Sequence, residues 1–153
     1  MLKTIKKYFD NHLSGETNEN LDHQLKLATA ALLIEMMQQD EHEHENEKIA
    51  IRFALQSKFS LTDHETDTLY NLAQQEVADA TDYFQFTNLI ARNFSQQQKI
   101  KVIEYLWTIA YADNSLDAYE EHMVRRIADL IYVSHKDFMQ TKHKVQQKLT
   151  QAD

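Results

Sequence analysis

Three carboxylates, Asp113, Asp117 and Glu120, lie close together in a stretch with the polar character of a connection between helices. Hard cations such as calcium and magnesium take oxygen ligands of this kind. The same residues also have a structural use. Asp117-x-x-Glu120 is an acceptable capping box, and the helix dipole favours negative charge at a helix N-terminus. The spacing is not that of an EF-hand loop, which needs a central glycine and a terminal ligand lacking here. A second run, Asp40-Glu41-His42-Glu43-His44-Glu45-Asn46-Glu47, is the densest charged segment of the chain. Its imidazoles and carboxylates could take a transition metal or simply form a solvated acidic connection. It contains no His-Glu-x-x-His, and His42 and His44, two residues apart, do not share a helix face, so a zincin reading fails.

Other chemistries are removed by composition. The 153 residues include no cysteine, no proline and one glycine, Gly15. A single glycine near the start cannot supply a dinucleotide or P-loop fingerprint. Without cysteine there is no disulfide, no thiolate zinc site and no thiol nucleophile. The remaining histidines, His12, His23, His64, His122, His135 and His143, are scattered at polar positions, with no Ser-His-Asp order to be read. An enzyme is therefore not expected. A net charge of -8 disfavours nucleic acid and anionic membrane as partners, because phosphate neutralisation needs clustered Lys and Arg. A cation, a basic protein surface or a second copy in a homodimer are the partners left. No run approaches the roughly 20 apolar residues of a membrane span, and the N-terminus is broken by charge before a signal-length apolar run, so a cytoplasmic protein is expected.

The elements that must position these residues are helices. Apolar residues recur at 3-4 spacing almost throughout, and the scarcity of glycine and proline argues against sandwiches and barrels. We expect an all-α, single-domain bundle of about eight helices over residues 1-153. The first spans 2-13 and ends near Gly15, a plausible C-terminal cap. A long helix follows from Leu21 to near Asp40 with a stripe of Leu25, Ala28, Leu32 and Met36. Ile49, Phe53 and Ala54 restart the period. Thr62 with Glu65 and Ser95 with Gln98 are capping boxes for later helices. Tyr83, Phe86, Leu89 and Ile90 mark a helix between them. The most apolar helix uses Ile100, Ile103, Leu106, Trp107 and Ala110, with Tyr105 and Tyr111 at its rim. Met123, Ile127 and Ile131 mark the next, and Ser134 caps the last, which should fray after Gln146.

Within this pattern lies a repeat. Placing residues 28-60 on 101-133 without a gap pairs Leu33 with Leu106, Asp40 with Asp113, Glu47 with Glu120 and Arg52 with Arg125. Ile51 meets Val124, Ala54 meets Ile127 and Phe59 meets Tyr132. Repeat units of about 21-60 and 99-133 would cover each other about an approximate twofold axis and bring both acidic connections into related positions. Arg52 and Arg125 would then reach the acidic residues one to two turns earlier as structural ion pairs.

Ala112-Asp113-Asn114-Ser115-Leu116-Asp117-Ala118-Tyr119-Glu120, followed by Ile127-Ala128 and Leu130, resembles the Ala-Asp-Gly-x-Leu-Asp-x-x-Glu signature of the TerB-like tellurite-resistance family. The resemblance covers roughly residues 20 to 145. It implies an all-helical stress-response module of undefined molecular activity, related to domains at the front of membrane-linked DnaJ-type co-chaperones. It places the acidic signature on Asp113, Asp117 and Glu120, and on Asp40 and Glu47 in the first copy. Asn114 stands where the family has glycine, a replacement that Asn tolerates because it visits left-handed conformations. The first copy departs further, with Glu41, Glu43 and His44 at the positions of Asn114, Leu116 and Asp117. The expected metal set is Asp40, His44, Glu47, Asp113, Asp117 and Glu120, holding a divalent cation, calcium or magnesium, or facing a basic partner. The alternative is a ligand-free interaction or co-chaperone-like scaffold.

One prediction needs no structure. The chain carries eight histidines against its charge of -8. Their protonation near a reference pKa of about 6.5 cancels most of that charge between neutral pH and about pH 5.5, so solubility and native-gel mobility should fall together across that window.

Overall fold

A computed structural model of the protein describes residues 2-13, 21-39, 45-78, 84-112 and 118-151, without the side chains of residues 2, 3, 39, 45-47, 76-78, 118, 119 and 151. The fold is all-α, with eight α-helices among the described residues. These are α1 (Leu2–Tyr8), continued by a π-helical turn (Phe9–Leu13), α2 (Leu21–Gln39), α3 (Glu45–Phe59), α4 (Asp63–Ala78), α5 (Gln85–Asn93), α6 (Gln96–Ala110), α7 (Ala118–Leu130) and α8 (His135–Gln151).

α2 is the axle of the bundle. The stripe expected on one side is in fact apolar all round: every residue from Leu27 to Met37 is buried, including Thr29 and Glu35. A helix apolar on every face needs neighbours on every face. It packs against the π-helical turn, α3, α4, α5, α6 and α7. α6 is its counterpart, burying Val102, Ile103, Leu106, Trp107, Ile109 and Ala110. α2 lies along α4 as α6 lies along α8, the two long helices pack on each other, and each crosses to the other's follower, α2 to α7 and α6 to α3. Trp107, fully buried, fills the α6–α8 seam against Phe138, with ring centroids 5.1 Å apart.

Local chemistry sets the helix starts. Thr62 Oγ1 accepts from the Glu65 amide at 3.1 Å while the Thr62 amide donates to Glu65 Oε1 at 2.9 Å, the expected capping box of α4. Ser95 and Gln98 make the same pair for α6. Ser134 accepts from the Asp137 amide at the head of α8. Among the described residues, three non-glycine residues turn the chain through the left-handed region at element ends, Ser60 (φ 58), Phe84 (φ 61) and Tyr132 (φ 65). The proposed cap at Gly15 and the helix position of Tyr83 lie outside the described residues.

α5 begins without a cap of its own, because Phe84 supplies no side-chain acceptor. Glu35 replaces it from the last third of α2. Its carboxyl oxygens accept from the Phe86 amide at 2.8 Å, the Thr87 amide at 3.0 Å and the Thr87 hydroxyl at 2.6 Å, all out of contact with solvent. The orphan amides of a helix start are thus satisfied across the core, with the helix dipole in the favourable sense.

Three sequence expectations change. Ile49 and Phe53, read with Ala54 as restarting the apolar period, are 64% and 72% exposed, and the inward face of α3 is carried by Ile51, Ala54 and Leu55. α8 continues regularly to Gln151 instead of fraying after Gln146, because Leu149 packs on the core and Lys148 bonds Glu104. The gapless pairing fails at its end, since Phe59 is buried but Tyr132 is 75% exposed. α7 closes one residue early, so that buried Phe59 matches buried Ile131, and cap Thr62 matches cap Ser134. Up to that point buried meets buried at Leu33 and Leu106, Ile51 and Val124, and Ala54 and Ile127.

Truncation of the interior cap should be costly. Glu35→Ala leaves two amides and a hydroxyl buried without acceptors, an expected loss of about 3-5 kcal/mol in urea unfolding, with faster amide exchange first at Phe86 and Thr87. Glu35→Gln keeps one acceptor oxygen and should lose clearly less.

Candidate functional site

The two acidic connections run from the end of α2 to α3 and from the end of α6 to α7. Of the expected ligands, Asp40, His44, Asp113 and Asp117 lie outside the described residues, and so does the side chain of Glu47, whose backbone belongs to the first turn of α3. Glu120 is described. It sits in the first turn of α7, partly buried.

Its surroundings join the two halves of the chain. Glu120 lines a crevice of about 20 Å³, the room of one water molecule, together with Leu33 of α2, Ile51 of α3, Leu106, Ile109 and Ala110 of α6, and Met123 and Val124 of α7. Leu33 with Leu106 and Ile51 with Val124 are positions that the repeat pairs. The crevice is apolar and too small for a hydrated ion. What it contributes is placement, setting the carboxyl-bearing start of α7 directly against α2 and α3. Among the described residues, no three of His, Asp and Glu gather as a metal-binding group.

Among the described residues, each arginine paired by the repeat contacts the helix that follows its own. Arg52 Nη2 donates to Asp67 Oδ1 at 2.6 Å and lies 3.8 Å from Asp63, both on α4, because its outward position on α3 faces that helix. Arg125 lies over the Phe138 ring of α8. Each arginine fastens a second helix to a third.

Two buried carboxyls, Glu104 and Glu35, were not singled out from the sequence. Glu104, almost fully buried in α6, accepts from Lys148 at 3.0 Å and Lys144 at 3.3 Å, with Lys101 at 3.8 Å. Burial pushes its carboxyl upward, but the Lys148 hydrogen bond and the charges of Lys101, Lys144 and Lys148 hold it below the usual carboxylate range. Glu65 is likewise held low against its burial, by the Thr62 amide and by His23, whose Nε2 lies 2.7 Å away and ties α2 to α4. Burial, aided by the charge of Glu65, pushes the nearby Tyr8 hydroxyl up to about 12. Asp22 is lowered by hydrogen bonds from the Tyr105 hydroxyl and Lys26. The clue for Glu104 was its placement between Ile103 and Tyr105 inside the most apolar helix, and for Glu35 its place between Ile34 and Met36; a charged residue at such a position requires partners.

With this arrangement in view, comparison with known families is decisive. A family model described as tellurite resistance protein TerB matches residues 26-143. The chain belongs to the TerB family. The match takes in all of α3 to α7 and most of α2 and α8, including both acidic connections, and leaves α1 and the π-helical turn before it. Comparison with curated proteins and with solved structures gives no match. No helix among the described residues of this TerB-family chain is long and apolar enough to cross a membrane.

The lysine-ringed carboxyl gives a pH test. A carboxyl whose folded pKa is depressed adds stability that is present above its unfolded value, here 4.5, and is lost as pH falls through the lower folded value. Unfolding free energy should therefore drop below about pH 4.5. Glu104→Gln should lower stability at pH 7 and flatten that acid limb, as measured by urea titrations at pH 7 and about pH 3.5.

Proposed function

We propose that this member of the TerB family is a stress-response module made of two related helical units, and that it binds a hard divalent cation, calcium or magnesium, between their acidic connections. Asp113, Asp117 and Glu120 supply the ligands from the second unit, and Asp40, Glu47 and His44 from the first. The observation that carries this reading is the position of Glu120, at a crevice lined by both helix pairs. The start of α7 lies against α2 and α3, where two connections related by an approximate twofold axis would meet. Further support comes from reciprocal packing, α2 with α7 and α3 with α6, and from caps at Thr62 and Ser134 that extend the correspondence into α4 and α8. Carboxylate oxygens favour a hard cation over a soft one, and His44 is the single ligand that departs from this. The proposed activity is binding without catalysis, in a cytoplasmic setting.

The test compares thermal unfolding of the parent, Asp117→Ala, Glu120→Ala and Asp40→Ala in chelator and in excess calcium or magnesium. A site with a dissociation constant on the order of 100 μM adds about 2.7 kcal/mol at a hundredfold excess, a rise of roughly 5-10 °C for a chain of this size. The rise should disappear in Asp117→Ala and Glu120→Ala. Loss in Asp40→Ala as well identifies one site shared by both units. A parent whose midpoint does not move with any ion, with variants merely destabilised by about 1 kcal/mol, reduces the carboxylates to helix caps and rejects the cation site.

A further inference from the structure

We infer that the outward face of α3, built on Ile49 and Phe53, is a docking surface for a protein partner that presents a basic amphipathic helix. This inference stands apart from the cation site. The two residues are one helical turn apart, are 64% and 72% exposed, and together with Tyr132 are the large apolar side chains that the described surface leaves in water. Singly exposed apolar residues need no explanation, but an i, i+4 pair forms a stripe along the helix axis, the spacing at which a partner helix inserts its own i, i+4 side chains.

The fold does not require this pair. α3 already packs on α2, α4 and α6 through its other faces. At the matching turn of α7, 73 residues on, stand His122 and Arg126, both exposed and polar. The same architecture is therefore served by polar residues in one half and carries an apolar pair in the other.

Charge selects the occupant. Residues 40-47, which in sequence precede and open α3, contain five carboxylates, and the net charge of the chain is -8. The cation nearest Phe53 in sequence, Arg52, is engaged by Asp67 and Asp63. Pairing with a second copy through this face would bring together two chains that each carry a net charge of -8, which like-charge repulsion opposes. Anionic lipid is disfavoured on the same ground. A helix with apolar residues one turn apart and Lys or Arg on its flanks meets both features.

The probe is a synthetic Leu/Lys amphipathic helical peptide, titrated into the full-length labelled protein and followed by backbone amide shifts. Controls are a counterpart with Glu in place of Lys and a same-charge peptide scrambled to remove its apolar face. Shifts should centre on residues 48-57, with both controls binding much more weakly. Ile49→Gln/Phe53→Gln should weaken binding at least about tenfold while keeping the parent's helicity and melting point, since both sites are exposed. Ile49→His/Phe53→Arg, which copies α7, should do the same. Shifts centred elsewhere, or an undiminished affinity in both variants, overturn the assignment. So does a parent that sediments as a dimer and becomes monomeric in the variants, which would make the face a self-interface. Binding to phosphatidylcholine vesicles lost in the variants would assign it to lipid instead.

Discussion

The buried carboxyl of Glu35 fixes more of this molecule than any other single group. It lies in the last third of the axle helix and holds the first turn of α5, which has no side-chain cap from its own N-terminal residue. α5 is short and is followed almost at once by α6, with only Phe94 and Ser95 between them. Whatever sets the start of α5 therefore sets where α6 begins, and so how α6 lies along α2. The contact between the first and second helical units is in this way governed by a polar interaction placed where the hydrophobic effect alone would not distinguish one sliding position from another.

The surroundings of Glu120 follow from that alignment. The crevice beside Glu120 exists because side chains from α2, α3, α6 and α7 meet about one point. A displacement of α6 by a single turn would carry the head of α7 away from Ile51 and Leu33. The route from a buried glutamate in α2 to the geometry around Glu120 is a chain of rigid helices and short links. Family membership adds that residues 26-143 form the shared unit. The N-terminal helix precedes that unit, yet Ile5, Phe9 and Leu13 are buried and Phe9 packs on Phe94. It therefore braces the α5–α6 corner from outside.

Much of the fold was legible because its signals are local. Hydroxyl residues three positions before Glu, Gln or Asp marked the starts of α4, α6 and α8, and 3-4 periodicity marked the elements between them. What failed was facing. Ile49 and Phe53 have the spacing of a buried stripe, and sequence cannot tell a stripe meant for the core from one left outward when Ile51, Ala54 and Leu55 offer an alternative phase on the same helix. Arg52 and Arg125 were assigned partners within reach along the chain; the contacts described for them come from α4 and α8, which lie beyond that reach in sequence. The interior role of Glu35 was hidden for a related reason. Its donors, Phe86 and Thr87, lie far along the chain, and no short-range pattern pairs a mid-helix acid with the amides of a distant helix start.

The three left-handed residues have a consequence for how this chain tolerates change. Ser60, Phe84 and Tyr132 take a backbone conformation that costs a side-chain-bearing residue roughly 1 kcal/mol relative to glycine. A chain with a single glycine has fewer unfolded backbone states to lose at such positions, and one without proline has no slow prolyl isomerisation to delay folding. At two of these corners a cation lies over the ring, Arg126 over Phe84 and Lys99 over Tyr132. Substitutions on the helix flanks can then drift with little effect, while a β-branched residue at any of the three corners would redirect the next helix.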